Sequence, residues 1–373
     1  MQPRILIPED RPWRVLGLMS GTSADGVDVV AIEVDPLGFE GGRPFRGLLQ
    51  HHAEPYPCAL RDLVLAAASN RLDPAGLCIL QRRLGDHHAR AARQLCETLR
   101  LAPDLASLHG QTVQHHPAEG ASLQLADPYV LAESLGCPVV WDLRRRDLAL
   151  GGQGAPLVPL PERWLHGAGP WLALNLGGIA NLSWWDGQRT QAWDTGPGMS
   201  LLDLAAQRWL GRPFDPEGSA ASGQVATWLL AGWLAHPYFQ APLPKSTGRE
   251  VFGEAWLEAA VPSLEALPLA DRLATLAAFT AASVASEAAR LEPWPPGTKG
   301  LVSGGGARHL RLRAELATRL GLPLEDDTAF PSGAREAASW ALLGAASALG
   351  IPGNLPEVTG ASRPAVLGSW VWP

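Results

Sequence analysis

The chain contains no basic run longer than the triplet Arg144-Arg145-Arg146, and its formal net charge is −7. Sequence-independent nucleic-acid binding needs a basic face, so no nucleic-acid partner is expected. Cysteine is scarce. The four residues at 58, 78, 96 and 137 include no pair with zinc-knuckle or redox-motif spacing. The expectation is four buried or half-buried thiols in a reducing cytosol. The first ten residues lack the apolar core of a signal peptide. The most apolar helical stretch, about 273–289, is interrupted by Thr275, Thr280, Ser283, Ser286 and Glu287 and is too polar to span a bilayer. A cytoplasmic protein with no membrane partner is expected. Neither a dinucleotide fingerprint nor a Walker-type lysine loop occurs, which disfavours Rossmann and P-loop readings. His109, His115 and His116 lack the spacing of a helical ligand pair and have no interleaved acid or thiol, so structural hydrogen bonding is expected of them.

What is present points elsewhere. At 373 residues, 46% hydrophobic and 18% charged, the chain is globular and long enough for two domains. The most informative stretch is Gly17 to Val30. Val15 and Leu16 lead into it, and Val27, Val29, Val30 and Ile32 lead out, which predicts two antiparallel strands joined by a tight turn. In the turn, Ser20, Gly21, Thr22, Ser23 and Gly26 combine bare backbone with three hydroxyls beside Asp25 and Asp28. Glycine lets backbone N–H groups approach an anion, hydroxyls donate to phosphate oxygens, and a carboxylate can hold a hydrated Mg²⁺.

Helices are predicted over 58–68 and 74–101, the second with Asp73 as its N-cap. A strand over 105–108 is expected to end at His109-Gly110-Gln111-Thr112, and a helix at 128–135 and a strand at 138–141 close a first α/β unit. Residues 151–156 read as a loop, and a helix at 159–166 precedes a strand over 171–176. That strand turns at Gly177-Gly178 into another, echoing the opening hairpin roughly 160 residues later. Two similar halves facing one another are expected. A third glycine turn, Gly304-Gly305-Gly306, joins a strand at 299–302 to a helix at 309–320, and 333–348 reads as a last long helix.

The two glycine hairpins and the strand–triple glycine–helix resemble the actin-like ATPase, heat-shock ATPase and sugar-kinase superfamily. Its fold is α/β, with two ribonuclease-H-like domains around a central cleft. Within it, the chain is similar to the anhydro-N-acetylmuramic acid kinase family. The resemblance rests on Met19-Ser20-Gly21-Thr22-Ser23, Asp25-Gly26-Val27-Asp28, His109-Gly110-Gln111-Thr112, Asp142 with 144–147, and 151–159. It continues through Asn175 to Asn181, Asp194 to Gly198, 244–250, and Gly353-Asn354 to Ala361. It covers nearly the whole chain.

The resemblance implies an ATP- and Mg²⁺-dependent, cytoplasmic and dimeric enzyme of cell-wall recycling. Such an enzyme opens the 1,6-anhydro bridge of anhydro-N-acetylmuramic acid with water and phosphorylates O6, giving N-acetylmuramic acid 6-phosphate and ADP. Gly21, Thr22, Ser23, Ala24, Asp25, Gly26, Val27 and Asp28 would cradle the γ-phosphate, with Asp25 or Asp28 near Mg²⁺. Gly177, Gly178 and Asn181 would form a second phosphate loop, and Gly304, Gly305 and Gly306 would meet the adenosine part. Asp194 carries the general-base role, at a strand end beside a turn; a carboxylate in an Asx-turn is its structural alternative. Glu336, Arg145, Arg146, Thr112 and Gln111 would contact the sugar, the arginines through its lactyl carboxylate or nearby sugar oxygens. The expected domains are 1–160 with 346–373, and 161–345. Two departures stand out: Met199, where the family has asparagine, and Leu143, where phenylalanine is common. A conventional sugar kinase and a filament-forming or chaperone ATPase are the rival readings.

Overall fold

A computed structural model describes residues 8, 11–21, 24–167, 169–218, 220–243, 245–291, 293–327, 330 and 333–373. Thr22 and Ser23 of the predicted phosphate turn lie outside these residues. The chain divides into two units, Met1–Ala168 with Ala329–Pro373, and Gly169–Thr328. Strands β1 (Trp13–Ser20), β2 (Gly26–Val34), β3 (Phe45–Pro55), β4 (Leu105–His116), β5 (Ala121–Leu125) and β6 (Val139–Trp141) precede the second unit. Strands β7 (Trp171–Leu176), β8 (Ile179–Trp185), β9 (Thr190–Pro197), β10 (Lys299–Ser303) and β11 (Leu324–Asp326) lie within it, and β12 (Ser369–Val371) follows it.

The first sheet runs β12-β6-β4-β1-β2-β3 with β5 paired to β4, and the second runs β11-β10-β7-β8-β9. In each, the unit's first three strands form an antiparallel meander. Its fourth and fifth core strands run parallel to the first. The spatial order 3-2-1-4-5 is therefore built twice, and it is the ribonuclease-H-like order. The echo of glycine hairpins in the sequence reflects a repeated supersecondary unit.

The reason lies in the apolar pattern. On β1, Trp13, Val15 and Met19 join one core with Val30 and Ile32, while Leu16 and Leu18 join another with Val29 and Ala31. Alternation with both faces covered makes β1 a central strand. Asp73 caps the helix Pro74–Leu99 by accepting from the Gly76 amide, and Arg100, in the left-handed region, ends it.

Three expectations need correction. The helices Pro159–His166 and Ala334–Ala348 belong to the first unit, not to a second domain over 161–345. A Cβ on Gly17 would fall 1.9 Å from the Ala337 carbonyl oxygen, and one on Gly344 2.6 Å from Ser107 Cβ. Such intimate packing of the helix on β1 and β4 needs small residues at the contacts, among them Ala337, Ala341 and Gly344. Second, β4 does not stop near Thr112 but runs to His116 and folds back onto β5. Its polar tail reads as loop because it is paired on one side only. Third, the four thiols are free, but Cys58 and Cys78 are exposed; only Cys96 and Cys137 are buried. Among the described residues no helix is long and apolar enough to cross a membrane. The helix Leu269–Ala288 instead buries Leu273, Leu276 and Phe279 in the second unit's core.

Candidate active site

In the second unit, β7 and β10 run parallel and end together, with Asn175 opposite Ser303. The Gly177-Gly178 turn leaves one and the triple glycine leaves the other. Gly304 has φ +83°, and a Cβ there would lie 2.8 Å from the Leu176 carbonyl oxygen. One on Gly306 would lie 2.7 Å from Leu176 Cβ and 2.9 Å from Met199 Sδ. Only bare backbone fits so close to the end of β7. After it, a short 3-10 turn, Gly305–Arg308, precedes the helix Leu310–Leu320, which starts one residue later than predicted because His309 is its N-cap.

The Gly177 carbonyl accepts from the Met199 amide at 2.7 Å, and the Gly178 carbonyl accepts from the amides of Gly198 and Ser200 at 3.0 Å. These bonds fasten the β7–β8 turn to the start of the helix Ser200–Leu210. Two glycine turns thus lie where parallel strands end, the usual ligand edge of an α/β sheet, and Gly198 is hydrogen-bonded to one of them. Met199, 9% exposed, packs its thioether against Gly306 as part of this wall. Leu143 is simply core.

A polar row crosses the same sheet. Ser303, Asn175, Asn181 and Asp194 are register partners on β10, β7, β8 and β9. Asp194 is inside β9, not at its end. The register shift between Ala180 and Asn181 leaves Thr195 as an extra residue, and Gly196 at φ +121° resumes pairing. What reads as a turn is a bulge, a device that re-aims a side chain.

The Asp194 carboxylate is half-buried, and Oδ2 accepts from the Thr247 amide at 2.9 Å. The Asp194 amide donates to the Lys245 carbonyl at 3.3 Å, and the Tyr238 hydroxyl donates to the Asp194 carbonyl. Burial pushes the carboxyl up to about 6, with nearby Glu250 adding and the Thr247 amide opposing. A carboxylate at that value is poised to take a proton near neutrality.

In the first unit, Gly26 is dictated by β3, because a Cβ there would lie 2.4 Å from the Glu54 carbonyl oxygen. Ala24 is buried with φ +56°, Val27 is core, and Asp25 is exposed at the tip. Asp28 Oδ1 lies 2.7 Å from His51 Nε2, and Gly333 abuts it so closely that a Cβ would fall 2.6 Å from Oδ1. Gln111, 1% exposed, is occupied within the protein. Its amide donates to the Gly21 carbonyl at 2.9 Å, and its Oε1 lies 3.2 Å from the Tyr56 hydroxyl. That assigns it to bracing the hairpin. Thr112 is half-buried, and its Oγ1 accepts from Gln124.

Arg145 and Arg146 are exposed where the helix Arg145–Ala149 begins. They line a shallow depression with Asp142, Ser122 and Ser369, and Arg145 Nε lies 3.2 Å from Asp142 Oδ2. Their neighbour Arg144 turns inward and was not singled out in the sequence. It donates to His109 Nε2 at 2.9 Å and to the Gly154 carbonyl at 2.8 Å, and lies 5.0 Å over the Trp340 ring. Desolvation lowers it to about 10, opposed by Glu336. Glu336 opens to solvent but is crowded by protein, so desolvation is the main cause of its raised carboxyl. Arg144 lowers it, and Asp28 and Glu162 raise it. The structure therefore brings Asp28, Arg144 and Glu336 into one electrostatic cluster and leaves Arg145 and Arg146 on the rim. A triplet of arginines gives no sequence signal for which one faces in.

Among the described residues, no three or more His, Cys, Asp or Glu side chains gather as a metal cage. Mg²⁺ does not require one, since it keeps waters and takes one or two carboxylates plus substrate phosphates. Asp25 and Asp28 fit that donor set.

A family model described as anhydro-N-acetylmuramic acid kinase matches residues 13–373. Relatives carrying that name include one from Parasynechococcus marenigrum (strain WH8102), 43% identical over 96% of this chain and 99% of its own length. Another, from Synechococcus sp. (strain CC9311), is 42% identical over 96% of this chain and 100% of its own. The Streptomyces avermitilis relative is 42% identical, covering 95% and 94%. With a family match across both units and identity at this level over almost the whole length, the chain belongs to the anhydro-N-acetylmuramic acid kinase family.

Proposed function

We propose that the protein hydrolytically opens the 1,6-anhydro ring of anhydro-N-acetylmuramic acid and phosphorylates O6 with ATP. The observation that carries the reading is Asp194. Its carboxylate is held by the Thr247 amide on a bulged strand, poised near 6, in a sheet whose other strand ends carry the glycine turns. Ordinary glycosidases need two carboxyl groups, one to activate water and one to protonate the leaving oxygen. Here the leaving oxygen takes a phosphoryl group in place of a proton, so one base suffices.

Asp194 accepts a proton from water as the water oxygen bonds to C1. The C1–O6 bond breaks, O6 bonds to the γ-phosphorus, and ADP departs. Phosphoryl transfer otherwise asks for position and neutralised charge. The Gly21 to Asp28 hairpin, Gly177-Gly178 with Asn181, and Gly304–Gly306 are the backbone segments that would hold ATP. Mg²⁺, bound through Asp25 or Asp28, would neutralise phosphate charge. Glu336 and Thr112 serve the sugar hydroxyls, and Arg145 and Arg146 its lactyl carboxylate, since guanidinium forks suit carboxylates. Gln111 serves through the hairpin it braces. A cytoplasmic homodimer is part of the same proposal.

The test is ADP formation by the purified protein with ATP, with and without anhydro-N-acetylmuramic acid. Sugar-dependent ADP release is expected. Sugar-independent hydrolysis would return the filament or chaperone ATPase reading, and no turnover with the sugar would remove the kinase assignment.

A further inference from the structure

The mechanism leaves one buried ion pair in the second unit without a role. Lys245 and Glu287 side chains are 5% and 1% exposed, with Nζ 2.7 Å from Oε1. Nζ also donates to the Tyr238 carbonyl at 2.9 Å and sits 4.4 Å over the Tyr238 ring. The other Glu287 oxygen accepts from the Trp193 indole at 3.0 Å and lies 3.2 Å from Arg290 Nε. A buried pair is weak evidence for stability, because desolvation offsets the attraction and an apolar pair of similar volume often does as well. Its connections are more telling than its energy. Three residues of this cluster also touch Asp194: Lys245 by its carbonyl, Tyr238 by its hydroxyl, and Trp193 as the preceding residue.

The strand carrying the base is therefore clamped from two sides, by the 245–247 segment and by the helix bearing Glu287. Two residues past Lys245, the Thr247 amide donates to the Asp194 carboxylate at 2.9 Å. We infer that the Lys245–Glu287 pair positions Asp194, fixing where its carboxylate points by anchoring the segment that binds it. Lys245 and Glu287 are positioning residues, acting through Asp194 and not on the substrate. Glu250 acts on the base directly, Lys245 and Tyr238 are bonded to its backbone, and Glu287 and Arg290 act on those two in turn.

This inference rests on Asp194 being the base, and the experiment separates the two. Sugar-dependent ADP release is measured across the pH range around 6 for Lys245→Met/Glu287→Gln, Glu287→Asp and Asp194→Asn. The double variant removes both charges of the pair, and Arg290, 33% exposed, keeps the Phe239 carbonyl as a partner. Glu287→Asp keeps the charge and shortens its reach. Misplacing a catalytic group by about 1 Å can cost 10²-fold, so kcat is expected to fall about 10- to 100-fold in both pair variants. KM for ATP and sugar should stay within about twofold, the sign of an interaction made in the transition state. The acid limb of the kcat profile should also move, which simple loss of stability would not cause. Parental kcat and an unmoved limb in either folded pair variant overturn the inference; if the double variant does not fold, Glu287→Asp decides. Activity in Asp194→Asn would reject the base itself, whereas an inactive Asp194→Asn beside parental pair variants rejects only the positioning role.

Discussion

Replacing Asp194 by asparagine is expected to lower kcat by about 10²- to 10⁴-fold, the range that positioned general bases contribute. Asparagine keeps the shape, and its carbonyl oxygen still accepts from the Thr247 amide, so the fold should persist. It has no basic oxygen. Because one proton transfer starts the whole sequence, ring opening and ATP turnover should disappear together. In the parent enzyme, kcat should rise with pH through about 6, since burial favours the protonated acid below that value and only the carboxylate accepts a proton. The variant's residual rate should lack this limb. A variant with near-parental turnover contradicts the assignment.

The second large effect is structural. Asp147, 0% exposed, is the hub of a motif chain that the sequence shows only as scattered family residues. One carboxylate oxygen accepts from the Gly154 amide at 2.8 Å. The other accepts from Asn354 Nδ2 and Thr359 Oγ1, each at 2.7 Å. This joins the helix Arg145–Ala149, the 151–156 loop and the 353–361 segment around one acceptor. Gly152 must be glycine there, because a Cβ would meet Asp147 Oδ2 at 2.3 Å. Asp147→Ala would leave the Gly154 amide unpaired and leave Asn354 Nδ2 and Thr359 Oγ1 only their 3.4 Å bonds to the Arg363 and Leu355 carbonyls, at about 1–3 kcal/mol for each donor that goes unpaired. Partial rearrangement brings the expected loss to roughly 3–5 kcal/mol, read as a lower denaturant midpoint for the first unit. A loss below about 1 kcal/mol would show that the three segments hold together without it.

These two carboxylates show what one sequence can reveal. The hairpins were legible because alternating apolar residues around glycine turns admit few other folds, and the repeat at Gly177 exposed the second unit. Pairing that depends on distant partners was not legible. Gly17 facing Ala337 fixes the last helix on the first unit, yet neither residue advertises the other. The β9 bulge hides behind a glycine and proline that read as a turn. Lys245 and Glu287, 42 residues apart, look like ordinary surface charges until the fold buries them together. Within Arg144-Arg145-Arg146, charge is visible in the sequence but direction is not, so nothing there separates the inward-turned Arg144 from its two exposed neighbours. Gln111 was legible as a polar residue after a strand, but its partners make it a brace.

The central claim is that water, activated by Asp194, attacks the anomeric carbon while O6 receives the phosphoryl group. Turnover in heavy-oxygen water tests it directly, with the product analysed before its anomeric hydroxyl exchanges. The account predicts one labelled oxygen on C1 of each N-acetylmuramic acid 6-phosphate formed and none in the phosphoryl group. A phosphorylated product with unlabelled C1 would contradict it and leave an ordinary sugar kinase.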